Sequence, residues 1–160
     1  MRILICDDEP EVTHSLSQII TAYFQKTKQN SPDIAIFDNG EKLLSDKSSK
    51  DIVFLDIEMP GLDGIYVGNE LKKENKYVII FIVTSYPEYL DDAMRFHVFR
   101  YLSKPIDKQR LFKNLDDALE LYYSINQKIA VETKSGVTSV LTCDIIYVEA
   151  KGRKVIVHTA

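Results

Sequence analysis

Residues 52–64 read IVFLDIEMPGLDG. Four apolar residues, Ile52-Val53-Phe54-Leu55, run straight into Asp56, and a Pro60-Gly61 turn follows. A run this short, apolar throughout and closed by turn residues, reads as a strand buried on both faces. Asp56 stands where that strand stops. Either it initiates a turn before Pro-Gly, or it is a reacting group at the carboxyl edge of a sheet.

Similar runs recur on either side. Arg2–Cys6 (RILIC) leads into Asp7-Asp8-Glu9-Pro10, and Asp33–Phe37 (DIAIF) leads into Asn39-Gly40. Tyr77–Val83 (YVIIFIV) is almost wholly apolar and reads as a central strand, while Phe99–Leu102 gives a fifth. Between them lie helical signals. Pro10 and Glu11 open a segment with apolar Val12, Leu16, Ile19, Ile20, Tyr23 and Phe24 at helical spacing, with acidic residues where the helix dipole favours them. Further helices are expected near Glu41–Asp46, over Leu62–Glu74, from Pro87 to about Phe96, and over Asp107–Ser124, where Leu111, Leu115, Leu119 and Tyr122 form one stripe. Apolar strands alternating with amphipathic helices imply a parallel sheet covered on both faces. Five of them suit an α/β, flavodoxin-like, doubly wound sheet of order 2-1-3-4-5, in which strands one and three are neighbours and ligands bind outside their carboxyl ends.

After Ser124 the rhythm changes. Short β-rich runs at Ile129–Thr133, Val137–Leu141, Ile145–Val148 and Val155–Val157 are joined by Gly-containing turns. They read as an antiparallel meander in a short C-terminal β-rich segment. Charge changes with them: residues 1–124 hold 15 Lys+Arg against 21 Asp+Glu, and residues 125–160 hold 5 against 3. Two units are expected, over 1–124 and 125–160.

The 160 residues, 45% hydrophobic and 28% charged, suit a soluble folded chain. No apolar run approaches the roughly 20 residues of a membrane span, and the N-terminal run is shorter than the about 7–15 residues of a signal peptide's core. Cytoplasm is the expected compartment. Cys6 and Cys143 each sit in an apolar segment and read as small buried hydrophobes. The three histidines form no metal-binding spacing.

On this fold Asp7 and Asp8 follow strand one, and Asp56 ends strand three beside it. Three carboxylates at one edge repel and raise one another's pKa, a conflict that a hard cation such as Mg²⁺ relieves. Thr84 after strand four brings a hydroxyl to the same edge, and Lys104 after strand five brings an ammonium. Singly, each is an ordinary cap, turn or surface residue; jointly, in this strand order, they point to a site.

The set Asp7-Asp8, Asp56, Thr84 and Lys104-Pro105 resembles the phosphoacceptor receiver domain of two-component response regulators, over residues 1 to about 124. The resemblance implies Asp56 as phosphoacceptor from a sensor histidine kinase. It implies Mg²⁺ held by Asp8, Asp56 and the backbone carbonyl of Glu58, with Asp7 assisting. Lys104 and Thr84 would stabilise the phosphoryl group, Thr84 and Tyr101 would form the switch, and Pro105 would follow a cis bond. Such a protein is a phosphoacceptor signalling protein, not an enzyme acting on other substrates. Glu58, two residues beyond Asp56, lies where a hydrolytic water approaches; it either modulates phosphoryl lifetime or is a solvent-facing loop residue. An aspartyl-phosphate phosphatase is disfavoured, because Asp56-Ile57-Glu58 lacks the D-x-D of such enzymes.

The stretch 144–159, DIIYVEAKGRKVIVHT, resembles the opening strands of a LytTR-type DNA-binding domain. That resemblance implies DNA as partner and transcription as output, with much of the DNA-contacting surface expected beyond Ala160; Lys151, Arg153 and Lys154 read as a solvated turn that can reach phosphate. The alternative is a phosphorelay or protein-interaction module whose β-tail mediates a homodimer, since a partial meander leaves strand edges open. No membrane partner is expected.

Overall fold

A computed structural model of the chain describes residues 1–160 except 87, 88, 90, 92–94, 96, 134, 135 and 153. Its five apolar runs form one parallel sheet: β1 (Arg2–Cys6), β2 (Asp33–Phe37), β3 (Ile52–Leu55), β4 (Ile79–Thr84) and β5 (Arg100–Ser103), in the order β2-β1-β3-β4-β5. The expected doubly wound topology is therefore present. Every residue of β3 and β4 is buried, as strands covered on both faces require.

Alternate residues serve alternate faces. Leu4, Cys6, Val53, Leu55, Ile80 and Ile82 join one apolar cluster with Leu43, Val67 and Leu71, which come from α2 (Gly40–Ser45) and α3 (Gly64–Glu74). On the sheet, Phe54 and Phe81 stack at 4.5 Å. Helix α1 (Pro10–Thr27) buries Leu16, Ile20, Tyr23 and Phe24. Its Tyr23 ring meets Phe112 edge-on at 5.2 Å, and its hydroxyl donates to Asp116; both partners belong to α4 (Lys108–Ile125).

Local chemistry sets the boundaries. Asp63 caps α3 by accepting from Tyr66 N at 2.8 Å, so the helix begins at Gly64 and not at the expected Leu62. Asn75 accepts from Tyr77 N at 3.0 Å and holds a turn there, which delays β4 to Ile79 and carries it through Thr84. The helix expected from Pro87 to about Phe96 falls on a stretch of which most residues lie outside the described ones.

The chain divides into two compact units, Met1–Asp116 and Asp117–Ala160. In the second, β6 (Lys128–Thr133) pairs with β7 (Gly136–Leu141), and β8 (Ile145–Lys151) pairs with β9 (Lys154–Thr159), both antiparallel. The expected antiparallel β-rich segment is present, as two separate hairpins and not as one continuous meander. Between them lies the 3₁₀ turn Thr142–Asp144, where both the N–H and the hydroxyl of Thr142 donate to Gln127 O, at 2.8 and 3.1 Å, and close the end of the β6–β7 hairpin. The hairpins leave large apolar side chains in solvent, including Val137 at 72% and Val155 at 67% exposure. Among the described residues no helix is long and apolar enough to cross a membrane.

Candidate functional site

Parallel register carries the strand ends to one edge. Cys6 lies opposite Leu55, and Thr84 opposite Ser103. The ladder continues one residue further: Asp7 N donates to Phe37 O at 3.1 Å, Asp56 N to Cys6 O at 2.9 Å, and Lys104 N to Thr84 O at 3.0 Å. Backbone pairing thus places Asp7 beside Asp56, while Lys104, following β5 on the far side of β4, reaches both with its side chain.

Ligand atoms of Asp7, Asp8 and Asp56 all lie within 4.8 Å of one another. Asp7 and Asp56 are buried, while Asp8 faces solvent. The Lys104 ammonium stands 2.8 Å from a carboxylate oxygen of each of Asp7, Glu9 and Asp56. Burial opposes the charge on Lys104, but hydrogen bonds to Asp56, Asp7 and Glu9 outweigh it and raise its pKa. For Asp7 burial dominates over the Lys104 contact, and the repulsion from Asp56 adds to it, so the carboxyl is harder to ionise than usual. The other oxygen of Asp56 accepts from Ile57 N at 2.7 Å. Cys6, packed beneath this acidic edge and 3.6 Å from the Met59 sulfur, has its thiol pushed up to about 12, mainly by burial.

Thr84, fully buried, is the last residue of β4. Its hydroxyl oxygen accepts from Tyr86 N at 3.4 Å, and the Tyr101 hydroxyl donates to Tyr86 O. Both residues expected to form a switch therefore engage one peptide segment, which no sequence spacing announces. The Lys104–Pro105 bond is cis. Glu58 is exposed; its carboxylate accepts from the Tyr89 hydroxyl at 3.0 Å, beside a cleft of 660 Å³ lined in part by Ile57, Met59 and Tyr89.

Gly64 closes the loop after Asp56. Its N–H donates to Ile57 O at 2.8 Å. A Cβ at this position would sit 2.0 Å from the Asp56 carbonyl oxygen, a distance no side chain tolerates. Glu9, Tyr89 and Gly64 were not among the expected site residues. Only Glu9 carried a signal, as the third acid of the Asp7-Asp8-Glu9 run.

The model of the response regulator receiver domain matches residues 3–116. The chain belongs to that family. Among its relatives, an uncharacterized response regulatory protein of Vibrio cholerae serotype O1 is 33% identical over 110 residues, 68% of this chain and 41% of that protein. The transcriptional regulatory protein BtsR of Escherichia coli K12 is 33% identical over 120 residues, 72% of this chain and 46% of BtsR. The chain thus spans less than half the length of either. Similarity to the sensory transduction protein LytT of Bacillus subtilis is 27% and extends over 99% of this chain and 69% of LytT. Among solved structures, the response regulatory domain of mrkE from Klebsiella pneumoniae is similar with a TM-score of 0.68 and 25% identity, over 76% of this chain and 98% of that one. The response regulator TrrA from Thermotoga maritima, in complex with Mg(2+)-BeF, is similar with a TM-score of 0.60 and 29% identity, over 73% and 97%.

Proposed function

We propose that this receiver chain is part of a cytoplasmic two-component response regulator in which Asp56 accepts a phosphoryl group from a histidine kinase. The observation that carries this is the packing of three carboxylates within 4.8 Å beside a single ammonium 2.8 Å from Asp56. Such a cluster suits a hard cation with oxygen ligands. Asp8 and Asp56, with the backbone carbonyl of Glu58 and with Asp7 assisting, would hold Mg²⁺. When bound, the ion supplies charge neutralisation on the transferring phosphoryl oxygens.

In the transfer an Asp56 carboxylate oxygen attacks phosphorus in line. The O–P bond forms as the N–P bond of the kinase phosphohistidine breaks, and the imidazole nitrogen keeps the electron pair. Lys104 donates to a phosphoryl oxygen, and the Thr84 hydroxyl turns to donate to another. That turn removes the acceptor from Tyr86 N–H, loosening the segment that Tyr101 holds through Tyr86 O, and so shifts a two-state equilibrium. Glu58, held by Tyr89, orients the water that hydrolyses the aspartyl phosphate. The chain catalyses only its own phosphotransfer and slow dephosphorylation.

Residues 1–124 form the receiver domain and residues 125–160 the beginning of a LytTR-like domain, through which the complete protein binds DNA and controls transcription. The similarity to the transcriptional regulatory protein BtsR, over 72% of this chain, supports the transcriptional output, and that to the sensory transduction protein LytT extends over 99% of it. A second reading, self-association through the β-tail, is favoured by the exposed Val137, Ile146, Tyr147, Val148 and Val155 on the hairpins; concentration-dependent sedimentation separates it from DNA output. The phosphoacceptor itself is tested by incubating wild type and Asp56→Asn with Mg²⁺ and acetyl phosphate and measuring intact mass. Only wild type should gain a phosphoryl group, and equal labelling of both sinks the reading.

A further inference from the structure

The Lys104 ammonium has three N–H donors: it donates to Glu9 and to Asp56, at 2.8 Å each, and the remaining one is drawn to Asp7, an ion pair at 2.8 Å. A phosphoryl oxygen on Asp56 needs one of these donors, so one carboxylate must leave. The three differ in how readily they can. The Asp7 and Asp56 side chains are 3% and 6% exposed, whereas that of Glu9 is 60% exposed. Releasing a buried carboxylate strands a charge away from water, but releasing an exposed one returns it to solvent at little cost. Glu9 also has somewhere to go. It occupies the N-cap position of α1 without its side chain capping any helix N–H, and a carboxylate at a helix N-terminus is favourably placed even when unpaired.

We infer that, in the unphosphorylated protein, Glu9 holds the place on Lys104 that a phosphoryl oxygen takes after transfer. The inference rests on Asp56 being the phosphoacceptor. Glu9 is then a positioning residue acting through Lys104: it saturates the ammonium at rest and competes with the incoming group. Because Asp7 and Asp56 already hold the ammonium from the buried side, Glu9 adds little to its alignment, and competition is its net effect.

The test follows Asp56 labelling by intact mass with Mg²⁺ and acetyl phosphate, in which the O–P bond to acetate breaks and acetate leaves. Binding of beryllofluoride, a noncovalent phosphoryl mimic, is measured alongside by ¹⁹F NMR. Loss of one exposed ion pair corresponds to about a two- to fivefold effect. Glu9→Gln should raise the labelling rate at saturating donor, and tighten beryllofluoride, by that factor. Glu9→Asp keeps the charge but is too short to span the contact, and should behave similarly. Glu11→Gln removes a neighbouring charge with no Lys104 contact and should match wild type. Equal rates and affinities in wild type and Glu9→Gln overturn the inference, as does an acceleration in Glu11→Gln as large as that in Glu9→Gln, which makes the effect general charge repulsion. Absence of any labelling of wild type overturns the phosphoacceptor reading, and this inference with it.

Discussion

Gly64 offers the most direct check on how the fold positions its site. In Gly64→Ala the new Cβ would lie 2.0 Å from the Asp56 carbonyl oxygen and 2.8 Å from Ile57 Cα. Both neighbours are backbone, so no rotamer change relieves the contact; reaching ordinary separation takes a displacement of about 1 Å or more. Overpacking of this kind costs about 1–3 kcal/mol. Weakening the 2.8 Å hydrogen bond from Gly64 N to Ile57 O adds about 1 kcal/mol. Against this, alanine is better than glycine inside a helix by about 1 kcal/mol. The net loss is about 1–3 kcal/mol, which lowers the urea midpoint by about 1 M for a slope of about 2 kcal/mol/M. Circular dichroism across a urea series reads this directly. A functional signature accompanies it: a shift of about 1 Å in a reacting group costs about a hundredfold in rate, so Asp56 labelling should fall far more than the unfolded fraction explains. An unchanged midpoint together with an unchanged labelling rate would refute the claim that the α3 N-terminus is seated against Asp56 by the absence of a side chain.

Two further outcomes follow from the same edge. The Asp7 carboxyl pKa is raised, chiefly by burial, so the native state binds that proton more tightly than the unfolded chain does, and stability falls as pH rises through the native pKa. In EDTA, Asp7→Asn should therefore raise the urea midpoint at neutral pH, and the gain should vanish as pH drops below the usual carboxylate range; a lower midpoint at neutral pH contradicts this. The Tyr89 hydroxyl donates to the Glu58 carboxylate at 3.0 Å, so Glu58→Ala should lengthen the aspartyl-phosphate half-life by about tenfold, below the usual yield of a fully positioned proton-transfer group, and Tyr89→Phe by a smaller factor. Half-lives equal to wild type in both make Glu58 a plain surface residue.

The fold was legible where burial alone decides structure. β1, β2 and β3 have the bounds their apolar runs suggest; for β1 and β3, almost wholly buried, the reason is that a strand covered on both faces can hold almost nothing else, while the edge strand β2 takes its register from β1. Boundaries moved wherever a single polar side chain took over a backbone group, as Asn75 does before β4 and Asp63 before α3. In the C-terminal unit the strand spacing predicts antiparallel strands but not which of them pair: the contacts that close each hairpin, such as Thr142 to Gln127, join residues 15 apart and have no periodic signature.

The candidate site divides along the same line. Asp7, Asp56 and Lys104 could be placed from sequence because each follows or ends a strand, and parallel register turns a strand's end into a spatial address. Glu9 and Tyr89 required side-chain reach: Lys104 extends to Glu9 across 95 residues of sequence, and Tyr89 to Glu58 across 31. Gly64 is hidden for the opposite reason, since its contribution is an atom that is missing. A strand-end carboxylate is only an exposed acid until something fixes its carbonyl, its second oxygen and its counter-charge. Here these fall to Gly64, which leaves room for the Asp56 carbonyl, to Ile57 N and to Lys104, and the first two stand at either end of the loop that carries the Pro60-Gly61 turn.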